Sequence, residues 1–97
     1  MRQLLWWLIG GSRGGANRLR IVRTLHDRPM NTNQLSETLD LNYKTVQHHL
    51  EVLEENNIVT TQGADYGKMF FLTDQMTANL DILEEIAEQA DLETNGD

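Results

Sequence analysis

Lys44, Thr45, Gln47 and His48 place an ammonium, a hydroxyl, a carboxamide and an imidazole within five residues, and Tyr43 adds a phenol just before them. An ammonium only donates hydrogen bonds, a carboxamide donates and accepts in one plane, and a hydroxyl or neutral imidazole does either. Such a set suits hydrogen-bonded recognition of planar groups and anions, not the making or breaking of bonds. No Ser–His–Asp arrangement, phosphate loop or metalloprotease signature occurs in the 97 residues, so no catalytic residue and no enzyme activity is expected.

These groups act together only if a helix presents them on one side. Val46, Leu50 and Leu53 follow the i, i+4, i+7 spacing of an apolar helical stripe. At about 100° per residue, Lys44 and His48 fall almost opposite that stripe, with Gln47 and Thr45 on its flanks. His49 lies beside the stripe and reads as a packed, structural histidine. Upstream, Leu35 and Leu39 mark the apolar face of another helix, and Asp40-Leu41-Asn42 leaves room only for a tight corner. Two short helices joined this way form a helix-turn-helix, whose second helix can enter a DNA major groove. The predicted boundaries are Asn33 to Leu39, with Thr32 as N-cap, and Tyr43 to Asn56, with Asn42 as N-cap. Asn56-Asn57 supplies the residue type that tolerates a left-handed helix end.

The flanking segments complete the frame. Residues 1–9 read as an apolar helix, Gly10 to Gly15 (GGSRGG) as a glycine-rich break, and Asn17 to Asp27 as a helix stopped by Arg28-Pro29. Ile58 to Thr61 and Lys68 to Leu72 read as strands around a turn-rich Gln62 to Gly67, which makes a β-hairpin. Thr73 or Asp74 caps a last helix to about Ala90. Met76, Leu80, Leu83, Ala87 and Ala90 step along it by 4, 3, 4, 3, the spacing of a coiled-coil seam. Asp91 to Asp97 reads as a disordered tail. The fold class is mainly α with a small β-hairpin (α+β): a winged helix-turn-helix with extra N- and C-terminal helices. Residues 1–15 form the apolar helix and break, 16–73 the winged domain, 74–92 a dimerisation helix and 93–97 the tail.

Leu35-Ser36 with Leu39, Thr45-Val46, His49-Leu50, Val52-Leu53, Glu55 and Ile58-Val59 together resemble the ArsR-type winged-helix family over residues 16–73. The features GSRGG, NYKTVQHHLEVLEENN and YGK look archaeal. The resemblance implies a homodimeric regulator bound to double-stranded operator DNA. Two departures limit what it carries over. Asp40 stands where the family's turn has Gly, so the corner depends on Asp accepting an unusual backbone. The family's arsenic-type sensors carry Cys before the turn and its zinc sensors carry Asp and His on the last helix. Here Asn31 to Gln34 hold no thiol and the last helix holds no His, so no soft-metal effector, no bound metal and no cofactor are expected.

The candidate DNA contacts are Tyr43, Lys44, Thr45, Gln47 and His48 on the second helix and Lys68 in the wing beside Tyr66 and Gly67. Arg13 and Arg18 are candidates for DNA or subunit contacts. Lys44 suits guanine or phosphate, and Gln47 pairs bidentately with adenine. Glu51, Glu54 and Glu55 would repel phosphates, so only the first half of the helix should enter the groove. Leu4, Trp6 and Trp7, with Met76, Leu80, Leu83 and Ala87, are the expected dimer interface. Asp81, Glu84, Glu85 and Glu88 read as a solvated acidic face rather than a cation site.

Net charge is −7, but it is polarised: residues 1–48 hold seven basic and three acidic side chains, and residues 49–97 hold one basic and twelve acidic. The surplus of acid and the scarcity of Lys suggest adaptation to high salt, as in haloarchaea. The charge also supports a second reading, a winged-helix interaction module that does not bind DNA. Absence of Cys fits a reducing, cytoplasmic setting. The apolar run Leu4 to Ile9 is too short for a membrane span, which needs about 20 residues, and it lacks the flanks of a signal peptide.

Overall fold

Asn31, one residue earlier than the sequence suggests, starts the first helix of the helix-turn-helix. Its side chain accepts from the Gln34 N–H (2.8 Å), and the Gln34 Oε1 accepts from the Asn31 N–H (2.9 Å). This reciprocal capping box outcompetes Thr32, which becomes the first helical residue. The structure, a computed structural model, describes residues 1–64 and 67–92. Residues 65–66 of the expected hairpin turn and the tail expected at 93–97 lie outside the described residues.

In chain order the helices are α1 (Arg2–Leu5), α2 (Gly15–Asp27), α3 (Thr32–Leu39), α4 (Tyr43–Glu55), α5 (Asp74–Thr77) and α6 (Leu80–Gln89). Strands β1 (Val59–Gln62) and β2 (Met69–Leu72) lie between α4 and α5. A π-helical turn, Trp6–Gly10, continues α1. None of the described helices is long and apolar enough to cross a membrane.

The corner between α3 and α4 is set by Asp40, which adopts the left-handed conformation (φ 55°, ψ 48°). Its neighbour Leu41 donates its N–H back to the Ser36 carbonyl (3.0 Å), and the Ser36 hydroxyl donates to the Leu41 carbonyl (2.6 Å). Asn42 then caps α4 by accepting from the Lys44 N–H (2.8 Å). At the far end Asn57 takes φ 62°, and the Ile58 N–H closes on the Leu53 carbonyl (2.9 Å). Ile58 is therefore committed to the helix end, and β1 begins at Val59.

β1 and β2 pair antiparallel, with Val59 opposite Leu72 and Gln62 opposite Met69. Met30 adds an isolated bridge to Phe70, through which the link before α3 anchors the hairpin.

The described residues share one core. Leu19, Ile21 and Val22 of α2, Leu35 of α3, Val46, Leu50 and Leu53 of α4, and Met76 of α5 are all buried in it. Burial of each such aliphatic side chain contributes about 1.5–3 kcal/mol. Leu5, Leu8 and Ile9 join it from the N-terminal segment, and Leu83, Ile86 and Ala87 join it from α6.

This packing corrects the expected dimer seam. The last helix is not continuous: the Asn79 side chain donates to the Gln75 carbonyl (2.7 Å), and the chain breaks between α5 and α6. Ile86, three residues after Leu83 on the same side of α6, takes a core position that the heptad count did not assign. Met76, Leu83 and Ala87 are fully buried within the subunit, where α6 packs on α1 and the π turn. They retain no surface for a partner. Of the expected interface, Leu4 and Leu80 remain half-buried, and Trp6 and Trp7 stay 44% and 63% exposed.

The acidic face of α6 is also partly committed. Arg2 pairs with Glu85 (2.7 Å), and Arg23 of α2 pairs with Glu84. The Arg23 hydrogen bond holds the Glu84 carboxyl below its usual pKa. These bridges are half-exposed and contribute little, on the order of 0–1 kcal/mol each. The face that α6 turns outward is set instead by burial of Leu83, Ile86 and Ala87 on its other side.

Candidate nucleic-acid interface

α4 is held along its length by Val46, Leu50 and Leu53, and this leaves one side facing outward. Tyr43, Lys44, Gln47 and His48 are exposed there, and Thr45 is half-buried at the margin. Tyr43, Gln47 and Lys68 line one groove of about 710 Å³ with Asn31, Thr32, Asn33, Glu51, Glu54 and Phe70. The groove thus runs between α4, the start of α3 and the hairpin. Lys44 and His48 do not line it and stand on the outer face of α4.

Lys68 sits 5.7 Å from the Phe70 ring centroid, a cation–π distance that holds the ammonium close to the base of the hairpin. Glu51 and Glu54 share the groove with it, so the groove is positive at its hairpin wall and negative along the later turns of α4. An anionic backbone is favoured at the Tyr43–His48 end and disfavoured beyond Leu50.

The two arginine candidates separate. Arg13 is exposed on the turn before α2. Arg18 is not available to an outside partner through its bonded nitrogens. Its Nε–H donates to His49 Nδ1 (3.2 Å), and its Nη1 donates to the Leu8 carbonyl (2.9 Å) and to Ser12 Oγ (3.2 Å). The reason is position: Arg18 follows the glycine-rich reversal directly, and its guanidinium fills the space between that turn and α4.

His49 is 6% exposed and packs as its place beside the apolar stripe suggests. Burial first, then the Arg18 charge, then His48 push its pKa below the ordinary histidine value. Sequence reasoning placed His49 inside but did not supply its partner. The only clue was an arginine one turn after a glycine pair, which is too weak to specify a contact 31 residues away. It also missed the Arg20 donation to the Leu39 carbonyl (2.9 Å), which ties α2 to the end of α3. Among the described residues no group of His, Asp or Glu is arranged to hold a metal ion.

The family model for the bacterial regulatory protein, arsR family, matches residues 16–61, which run from α2 into β1. No curated protein matches the chain. Several solved structures share the fold. A MarR transcriptional regulator from Methanosarcina mazei is 19% identical with a TM-score of 0.65, covering 76% of this chain and 56% of its own. HlyU from Vibrio cholerae is 20% identical with a TM-score of 0.66, covering 88% and 90%. A probable transcriptional regulator from Pseudomonas aeruginosa is 20% identical with a TM-score of 0.67, covering 92% and 73%. The chain spans little more than half the length of the first of these. At such identities the likeness establishes the fold, a winged helix-turn-helix.

Proposed function

We propose that this chain is a transcription regulator of the ArsR type that binds double-stranded DNA as a homodimer. The observation that carries the reading is the outward face of α4. Tyr43, Lys44, Gln47 and His48 are exposed together on the first turns of the second helix of a helix-turn-helix, beside a hairpin that carries Lys68. The N-terminal half of such a helix is the part that reaches base edges. The arsR family match over residues 16–61 supports the same reading.

Lys44 and Gln47 read bases, His48 and Tyr43 contact phosphate or base acceptors, and Lys68 contacts backbone beside the wing. Arg13 adds a backbone contact. The exposed Trp6 and Trp7, with Leu4 and Leu80 at their margin, form the subunit contact. A dimer would set two α4 helices about 34–36 Å apart, one per successive major groove. With no Cys in the chain, its signal is not a soft metal held by thiolates. The acid surplus suits a concentrated-salt cytoplasm, where phosphate contacts weaken and base contacts carry more of the affinity.

Fluorescence anisotropy with fragmented genomic DNA across a salt series tests the proposal. Saturable, sequence-dependent binding is expected. Absence of binding at every salt, with the helical circular dichroism intact, rejects it and favours the interaction module that the net charge of −7 would suit.

A further inference from the structure

His49 is the one buried polar side chain among the described residues. Its ring meets both the glycine-rich turn and α2. A Cβ at Gly14 would lie 2.6 Å from His49 Cε1, so only glycine lets the turn close over the ring. Arg18 donates to His49 Nδ1, and the same guanidinium holds the Leu8 carbonyl and Ser12 Oγ. The Ser12 hydroxyl donates to that carbonyl too (2.9 Å). One guanidinium therefore links the π turn that carries Trp6 and Trp7, the glycine-rich turn and the DNA-facing helix.

A guanidinium has no acceptor, so the bond requires a bare Nδ1 and a neutral imidazole with its proton on Nε2. A protonated ring would turn N–H toward N–H and set two cations in contact. Among the described residues no carboxylate acts on the ring to offset this. The charged or titratable groups acting on the ring are Arg18 from α2 and His48 from α4 itself, whose ring centroid is 5.6 Å away. Arg13, on the intervening turn, is exposed.

We propose that Arg18 and His49 form a positioning joint that fixes α4 to the glycine-rich turn while His49 is neutral, and that protonation of His49 opens it and frees the recognition face. The consequence for DNA rests on the regulator reading above. His49 directly follows Gln47 and His48, so its seat sets the rotation and depth of the turn that presents them. Opening the joint weakens DNA binding as pH falls. His48 is an exposed candidate contact in its own right, and H48Q removes it from the comparison.

The test has two arms on the full chain. In the free protein, NMR of the imidazole nitrogens follows His49 between pH 7.5 and 5. The expected result is an Nε2–H tautomer whose titration coincides with loss of the Arg18 Nε–H signal and with shifts of the Lys44 to His48 amides. Titration of His49 with those signals unmoved overturns the joint.

In the second arm, DNA affinity is measured against pH in H48Q and in H48Q/H49Q. The Gln amide oxygen can still accept from Arg18 but does not titrate. The affinity of H48Q should fall by up to about tenfold per pH unit below the His49 midpoint, the limit for one proton expelled on binding. Measured against H48Q, the H48Q/H49Q variant should show the same affinity at neutral pH and lose that slope. A slope that survives H49Q overturns the proposal. Coupled titration in a chain that binds no DNA at any pH supports the joint and rejects the regulator reading alone.

Discussion

Gly15→Ala sets two physical effects against each other, and the structure decides the sign. Gly15 is the first residue of α2, where helix propensity and the lower entropy of an unfolded alanine both favour Ala, by about 0.5–1 kcal/mol. In the fold, however, a Cβ at Gly15 would lie 1.7 Å from the Ile9 carbonyl oxygen and 2.7 Å from its carbon. Both atoms are backbone, so no rotamer change relieves the clash. The π turn would have to back away from α2 by roughly 1.5 Å to restore an ordinary contact, and close-packed interiors do not absorb such a shift locally. Leu5, Leu8 and Ile9 would move with it, out of contact with α2 and α6. Overpacking of this kind costs about 1–3 kcal/mol, more where backbone must move, so a loss of about 3 kcal/mol is expected after the propensity gain. In a domain of this size that lowers Tm by roughly 12–24 °C. Urea and thermal denaturation of the two proteins, with Gly67→Ala as control, measure it. A Cβ at Gly67 meets nothing within 4 Å, so the control should stay within about 0.5 kcal/mol. A Gly15→Ala protein as stable as the parent, or more so, would refute the close approach of α2 to the π turn.

Lys44→Ala and Gln47→Ala should each reduce specific DNA affinity by about 1–3 kcal/mol with the urea midpoint unchanged, because both side chains are exposed; unaltered binding in both would place the recognition surface elsewhere. Asp40→Gly should raise stability by about 0.5–1 kcal/mol, since the strain of a left-handed Asp exceeds the extra chain entropy of glycine; a lower urea midpoint would count against that backbone. Because burial lowers the His49 pKa, the unfolded chain takes up a proton near the ordinary value of about 6.5 while the folded chain does not. The associated stability is therefore complete above that pH and declines as pH falls below it, down to the folded-state pKa. Urea midpoints between pH 7.5 and 5 should drop in the parent and flatten in H49Q, a window above that of the Glu84 carboxyl. Trp7→Ala should leave stability within about 0.5 kcal/mol, because the ring is 63% exposed, yet shift sedimentation toward monomer; an unchanged oligomeric state would exclude Trp7 from the subunit contact.

The α4 face was legible from sequence because its cause is local. The 3.6-residue period puts Val46, Leu50 and Leu53 on one side, and Tyr43, Lys44, Gln47 and His48 must then lie away from it. Asn42 capping, the left-handed Asn57 and the hairpin follow from the same short-range chemistry. Asp40 was recognisable as a departure, and its left-handed backbone shows the corner was kept without glycine. The capping box was missed by one residue because Asn31 and Thr32 are both good N-caps, and only the Gln34 side chain chooses between them.

The coiled-coil seam was misread for a physical reason. A heptad pattern identifies an apolar stripe but not its partner, and Met76, Leu83 and Ala87 found theirs inside the subunit. Nor does a sequence show that Asn79 will turn back on Gln75 and break the helix. Arg18 is the same lesson in polar form. By charge it was a candidate DNA or subunit contact, yet its bonded nitrogens are committed to His49, Leu8 and Ser12. The sequence by itself determined the helix-turn-helix, the hairpin and the polar face of α4, because periodicity and capping act over a few residues. Only the tertiary structure decided which apolar face stays open and which cation is committed, because both depend on what the chain brings against them from tens of residues away.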